Sequence, residues 1–207
     1  TGNNLLAIHG LNYQVDSSDF LMSPELVAAQ TIIIPEDLMY AQAEALLLGL
    51  RITELMFNPA EGLPYDNDDY EFIELQNIGA ETLDLTGVRF ANGIDFTFPS
   101  YSLAAGEYVV IVKNLTAFQA RYGTGIPIAG VYDLNLSNDG EEMVLLLPAP
   151  FTAAVLRFEY QDSWYPAADG GGNSLVIQNP RAARDTWDEP TGWRQSSQIG
   201  GSPGEDD

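Results

Sequence analysis

Beyond Leu50 the chain is a succession of short apolar runs, each closed by turn-forming residues. Arg51 to Phe57 sets Ile52, Leu55 and Phe57 against a polar Glu54, and Glu71 to Gln76 (EFIELQ) alternates at period two, the mark of a strand with one face inward. Asn77 to Ala80 makes a turn. Leu83 to Phe90 and Phe96 to Phe98 flank Asn92-Gly93, a pair that readily adopts the positive φ of a tight hairpin. Tyr108 to Val112 (YVVIV), Met143 to Leu147 (MVLLL), Val155 to Tyr160 and Ser174 to Gln178 complete the set. One helix interrupts them, Leu115 to Tyr122, opened by Asn114 and closed by Gly123. Roughly seven short strands with turn signals between them predict an all-β chain, an immunoglobulin-like β-sandwich with a short helix inserted.

The first 49 residues read differently. Leu5 to Ile8 and Phe20 to Val27 are apolar runs joined by the turn-rich Asn12 to Asp19, which predicts two strands and a connection. Two strands do not fold alone, so residues 1–34 need a partner sheet in this chain or another. Pro35 to Leu48 has Pro at a helix start, two acids after it, helix formers in the middle and Gly49 at the end. The predicted organisation is terminal strands of an upstream or swapped β-module (1–34), a helical linker (35–49), the sandwich (50–178) and a C-terminal extension or linker (179–207). The start has neither a basic n-region nor an apolar h-region, so no leader is expected within the numbered chain. No uninterrupted apolar window of about 18 residues predicts a transmembrane segment.

Charge narrows the function. With 8 Lys and Arg against 30 Asp and Glu the chain carries −22, and a phosphate backbone would repel it, so no nucleic-acid partner is expected. The absence of Cys removes disulfides, thiolate metal sites and thiol catalysis, and a single His (His9) removes multi-His metal sites. Hydrophobic residues at 45% are nevertheless those of a globular chain. The charge is also uneven. Between Arg51 and Arg89 lie nine acids and no base: Glu54, Glu61, Asp66, Asp68, Asp69, Glu71, Glu74, Glu81 and Asp84. Such a run calls for solvent or for a bound cation.

The motifs RITELMFNP (51–59), DNDDYEFIELQN (66–77), LDLTGVRFANGIDFTFP (83–99), LAAGEYVVIVKN (103–114), FQARYG (118–123), LSNDGEEMVLL (136–146) and WYPAADGGGNSL (164–175) occur in that order. Together they resemble the lamin tail domain in its bacterial form, over about residues 50 to 178. The resemblance implies an immunoglobulin-like sandwich without catalytic residues, an interaction or scaffold module of an exported or cell-surface bacterial multidomain protein. The N-terminal NLLAIHGLN…SSDFLMSPELVA similarly resembles the last strands of an upstream jelly-roll module.

For chemistry, the leading candidate is the loop Tyr65 to Glu71. Alternating Asp and Asn can wrap a hard cation such as calcium, so Asp66, Asp68, Asp69 and Glu71 are candidate metal ligands, with Asp169 or Asp162 completing the shell. The spacing lacks the sixth-position Gly and twelfth-position Glu of an EF-hand, and a solvated acidic loop is the competing reading. Gly170-Gly171-Gly172 lacks the P-loop pattern and reads as a turn. Glu71 and Glu74, three apart on a strand, point to opposite faces and make a poor glycosidase pair. Trp164, Tyr165 and Trp193 could stack on sugars, although core packing is the commoner fate of such side chains. The expected function is a non-catalytic interaction module, calcium-stabilised if the loop holds its ion. Its expected partners are other protein modules or subunits of the same assembly, with glycans as a further candidate. The alternatives are a structural subunit assembling by donation of residues 1–34 and a carbohydrate-binding module.

Overall fold

The computed structural model describes residues 36–207, so the two strands expected within residues 1–34 lie outside the described residues. Helix α1 (Glu36–Gly49) leads directly into strand β1 (Leu50–Met56). Ten more strands follow: β2 (Phe72–Asn77), β3 (Leu83–Asp84), β4 (Arg89–Asn92), β5 (Ser102–Leu103), β6 (Tyr108–Val112), β7 (Ile128–Val131), β8 (Glu141–Leu146), β9 (Ala154–Tyr160), β10 (Leu175–Ile177) and β11 (Trp193–Gln195). Helix α2 (Leu115–Tyr122) lies between β6 and β7. The strands form a six-stranded sheet in the order β11-β10-β1-β2-β6-β7, a three-stranded sheet β4-β8-β9 and the pair β3-β5. Ile52, Leu55, Ile73, Leu75, Val109 and Ile111 of the large sheet meet Phe90, Met143, Leu145, Leu156 and Phe158 of the smaller one in a single core. This is the expected immunoglobulin-like sandwich.

Strand β1 departs from simple alternation for a local reason. Ile52 and Leu55 are three apart yet both enter the core. The β1–β2 register slips between Ile52 and Glu54, and this bulge inserts one residue and turns the strand's faces over. Glu54 and Met56 are thereby sent to the outer face of the sheet. That face is covered too, and β1 is buried along its whole length.

Helix α2 covers one half of it. Antiparallel neighbours need only a hairpin, but β6 and β7 are parallel, so the chain must cross over between them. The crossover is α2, with Asn114 as N-cap: its Oδ1 accepts from the N–H groups of Thr116 at 3.0 Å and Ala117 at 3.2 Å. Gly123 ends the helix at φ +83°, open to glycine at no steric cost. Phe118 drops from α2 into a second cluster with Met56, Phe72, Val110 and Val112, its ring edge-on to Phe72 at 5.7 Å.

The stretch read as a C-terminal extension or linker carries strand β11, paired with β10, and the fully buried Trp187 and Trp193. Tyr165 ties it down, donating to the carbonyls of Pro190 at 2.9 Å and Trp193 at 2.7 Å.

Two substitutions test this packing. Phe118→Ala empties the second cluster and should cost about 3–5 kcal/mol of unfolding free energy in urea. Leu63→Ala, at a side chain 98% exposed, should stay within about 0.5 kcal/mol of the parent.

Candidate functional site

The acidic loop is a short 3-10 turn, Asn67–Tyr70, preceded by Asp66 in extended conformation. Asp66 contributes its main-chain carbonyl, which accepts from the Asp69 N–H at 3.2 Å. The remaining acids point apart, each towards an amide. Asn135 Nδ2 donates to Asp68 at 2.7 Å, Asn114 Nδ2 to Asp69 at 3.0 Å and Asn58 Nδ2 to Asp169 at 2.6 Å. Asn114 thus caps α2 with its oxygen and holds the loop with its nitrogen. On the other side of the turn, the Arg121 guanidinium lies 3.3 Å from the centroid of the Tyr70 ring and donates to the Ala60 carbonyl. Among the described residues no three Asp, Glu or His converge in a group that could hold a metal ion.

Glu71 is separate from this exposed rim. It is fully buried, and its Oε2 accepts from the Tyr132 hydroxyl at 3.0 Å and the Leu136 N–H at 2.9 Å. Its Oε1 has no partner among the described residues. Burial pushes the carboxyl up to about 8, against the two hydrogen bonds, and the nearby Asp68 adds to the rise. Tyr132, buried beside it, is raised well above the ordinary phenol range by burial and by the same carboxyl.

A second buried pair lies on the outer face of the six-stranded sheet. Glu54 of β1 stands directly opposite Glu74 of β2, and both are at most 2% exposed. Thr53 Oγ1 and the Gly204 N–H each donate to Glu74 at 2.6 Å. Ser174 Oγ and the Ser202 N–H donate to Glu54, the latter at 3.0 Å. Burial raises both carboxyls well above the usual range; the serine hydrogen bonds oppose the rise at Glu54, and the Glu54 charge adds to it at Glu74. A cavity of about 210 Å3 adjoins the pair, lined also by Tyr108, Arg194 and Asp206. Glu74 therefore pairs with Glu54 across the strands, while Glu71 bonds to Tyr132 and Leu136. Sequence reasoning missed Glu54 as a partner because cross-strand register is invisible until the bulge at 52–54 is known.

The aromatic candidates separate as well. Trp193 is fully buried and its indole N–H donates to the Trp187 carbonyl at 2.9 Å, so it offers no face to a sugar. Trp164 lines an open cleft of about 460 Å3 with Glu142, Arg157, Glu159, Gln161 and Asp188. Arg157 bonds Glu142 at 2.8 Å and Gln161 bonds Glu159 at 2.7 Å, and Trp164 is half-buried, packed against the core beneath them.

Two measurements probe these arrangements. Tyr132→Phe removes one of the two donors to a buried carboxyl and should cost about 1–3 kcal/mol in chemical denaturation. The amide pairing of Asp68, Asp69 and Asp169 predicts equal melting temperatures in calcium and in chelator. A calcium-dependent rise would instead place an ion in the loop.

Two comparisons, with curated proteins and with solved structures, gave no match. The sequence model described as Lamin Tail Domain matches residues 48–161, from the end of α1 through β9 and more than half of the chain. It spans all seven strands from β1 to β7 as well as β8, β9 and the inserted α2, and the chain therefore belongs to the lamin tail domain family of non-catalytic, immunoglobulin-like interaction modules.

Proposed function

We propose that this chain serves as an interaction or scaffold module of an exported or cell-surface bacterial multidomain protein, without catalysis of its own. The observation that carries this reading is the state of its buried acids. Glu54, Glu71 and Glu74 are the groups whose environments would suit acid–base chemistry, and all three accept hydrogen bonds that hold strands, loop and C-terminal segment together. A general acid or base must reach its substrate, whereas these side chains are at most 2% exposed. The open cleft lined by Trp164 and Arg157 is the face we assign to a partner, because tryptophan and arginine are the residues that most often anchor a binding surface. Glycans fit the same composition. No helix among the described residues is long and apolar enough to cross a membrane.

A second reading has its own support. Strand β7 is one of the two edge strands of the large sheet among the described residues, and Val131 in it and Leu134 just after it are exposed. A free edge recruits strands, which suits a structural subunit completed by residues 1–34 of a neighbour.

The two readings part on simple measurements. The interaction-module reading expects Trp164→Ala, at a temperature where the variant is folded by circular dichroism, to lose retention on immobilised cell-envelope glycans or on the neighbouring modules of its own polypeptide. Retention unchanged by the substitution removes the cleft from the reading. Light scattering decides the other: assembly by strand donation expects the full chain to be oligomeric and the chain without residues 1–34 to be monomeric, and equal masses end it.

A further inference from the structure

Residues 197–207 leave β11 and fold back over the outer face of the six-stranded sheet, on the half that α2 does not cover. Their hold on that face is mostly main chain to carboxyl. The Ser202 N–H reaches both oxygens of Glu54, at 3.0 and 3.3 Å, and the Gly204 N–H reaches Glu74 at 2.6 Å. The approach is so close that a Cβ on Gly201 would collide with the Glu54 carboxyl, and Gly201 also adopts φ +76°. Further along, Arg194 of β11 grips Asp207, and the Tyr122 hydroxyl of α2 donates to the Gly200 carbonyl at 2.8 Å.

The charges around this contact are unbalanced. Glu54 and Glu74 face each other across β1 and β2. The segment lying over them brings Glu205, Asp206 and Asp207 to the same cavity. Among the described residues Arg194 is the one cation lining it, and that guanidinium is already engaged by Asp207. The other titratable groups turned toward the pair are Tyr108 of β6 and Tyr122 of α2, which are neutral around neutrality; β10 contributes Ser174 and Val176, which carry no charge. A single negative charge shared by Glu54 and Glu74 has several N–H and O–H donors to support it. A second one has no counter-charge, and Asp206 adds to its cost.

We propose that residues 197–207 form a proton-locked strap, docked on the sheet while the Glu54–Glu74 pair retains a proton and released when both carboxyls ionise. Release uncovers the outer faces of β1, β2 and β10 around Glu54, Glu74 and Val176. The sandwich core lies on the opposite face of the sheet and stays folded. The sign follows from linkage. Both carboxyls bind protons more tightly in the docked state, where burial raises them, than in the free one, where water reaches them. The Glu54–Glu74 contribution to docking is therefore largest in acid, loses ground as pH rises through the ordinary carboxylate range, and is smallest beyond about 8, where the second proton leaves.

Hydrogen exchange of the full chain, read by NMR and corrected for the intrinsic pH dependence of exchange, tests this. Between pH 6 and pH 9 the Ser202 and Gly204 amides should lose at least about tenfold in protection, while Leu55 and Ile73 keep theirs. In the double variant Glu54→Gln, Glu74→Gln no charge can form, and Thr53, Ser174 and Ser202 can turn their hydroxyls to suit the carboxamides. Its strap should remain protected at pH 9. Should that variant fail to fold, Asp206→Asn serves instead, and it should move the release to higher pH. The strap is overturned if the two amides exchange equally at pH 6 and 9, if the Gln variant releases as the parent does, if Asp206→Asn leaves the release pH unmoved, or if Leu55 and Ile73 lose protection together with the strap.

Discussion

The large sheet has no face turned to water over its central strands, and most of the architecture follows from closing the outer one. Inside, the smaller sheets cover β1, β2 and β6. Outside, the surface is divided. Met56, Phe72, Val110 and Val112 form an apolar half, which takes a helix with an aromatic residue on its lower side. Glu54 and Glu74 form a polar half, which no apolar helix could cover without leaving two carboxyls unsatisfied. It takes bare main chain instead, donating N–H groups. Main chain approaches that closely only where a side chain is missing, which is why a glycine stands over Glu54. The difference between the two covers is set by which residues the bulge at 52–54 turns outward.

Much of this was legible in the sequence, and the rest failed for physical reasons that can be named. YVVIV gave β6 to the residue, and Asn114 with Gly123 gave both ends of α2, because capping and β-branching act locally. The Asn92-Gly93 turn appears with Gly93 at φ +89°. Strand β7 (IAGV) was not legible: it is a short edge strand held by parallel pairing to β6, which no local pattern announces. The acids were harder. Glu54 and Glu74 look like the solvent positions of half-exposed strands, and nothing within either strand reveals a cover arriving from residue 202. Glu71 was grouped with Asp66, Asp68 and Asp69 by adjacency, but it enters the interior while they stay on the rim. Burial of an acid depends on what packs against it from far along the chain, and that information is not in its neighbours.

The eight cations show how a chain of charge −22 holds its loops. Only Arg157 and Arg194 form ion pairs among the described residues. The other six donate to main-chain carbonyls. Arg89 bonds Leu147, Lys113 bonds Leu134, Arg121 bonds Ala60 and Arg181 bonds Ile78. Arg51 and Arg184 both reach the Leu47 carbonyl at the end of α1, where unpaired carbonyls collect partial negative charge. Arg51 lies against the Trp187 ring, and burial together with Arg184 and Arg181 lowers it to about 10.

With 30 acids available, this pattern is not one of scarce partners. A surface ion pair gains little, since water and salt screen it. A guanidinium fixed on a carbonyl satisfies a group that loses its water on folding, and it joins segments that strand pairing does not reach. Arg51 links β1 to Pro180, and Arg184 links the 3-10 turn near Trp187 to α1. The excess acids are then free for two roles that need no counter-charge: a solvated surface, and buried carboxyls that hold a proton. Net charge alone distinguishes neither. Their division follows from what the rest of the chain lays over each acid: residues 202 and 204 over Glu54 and Glu74, and residues 132 and 136 over Glu71.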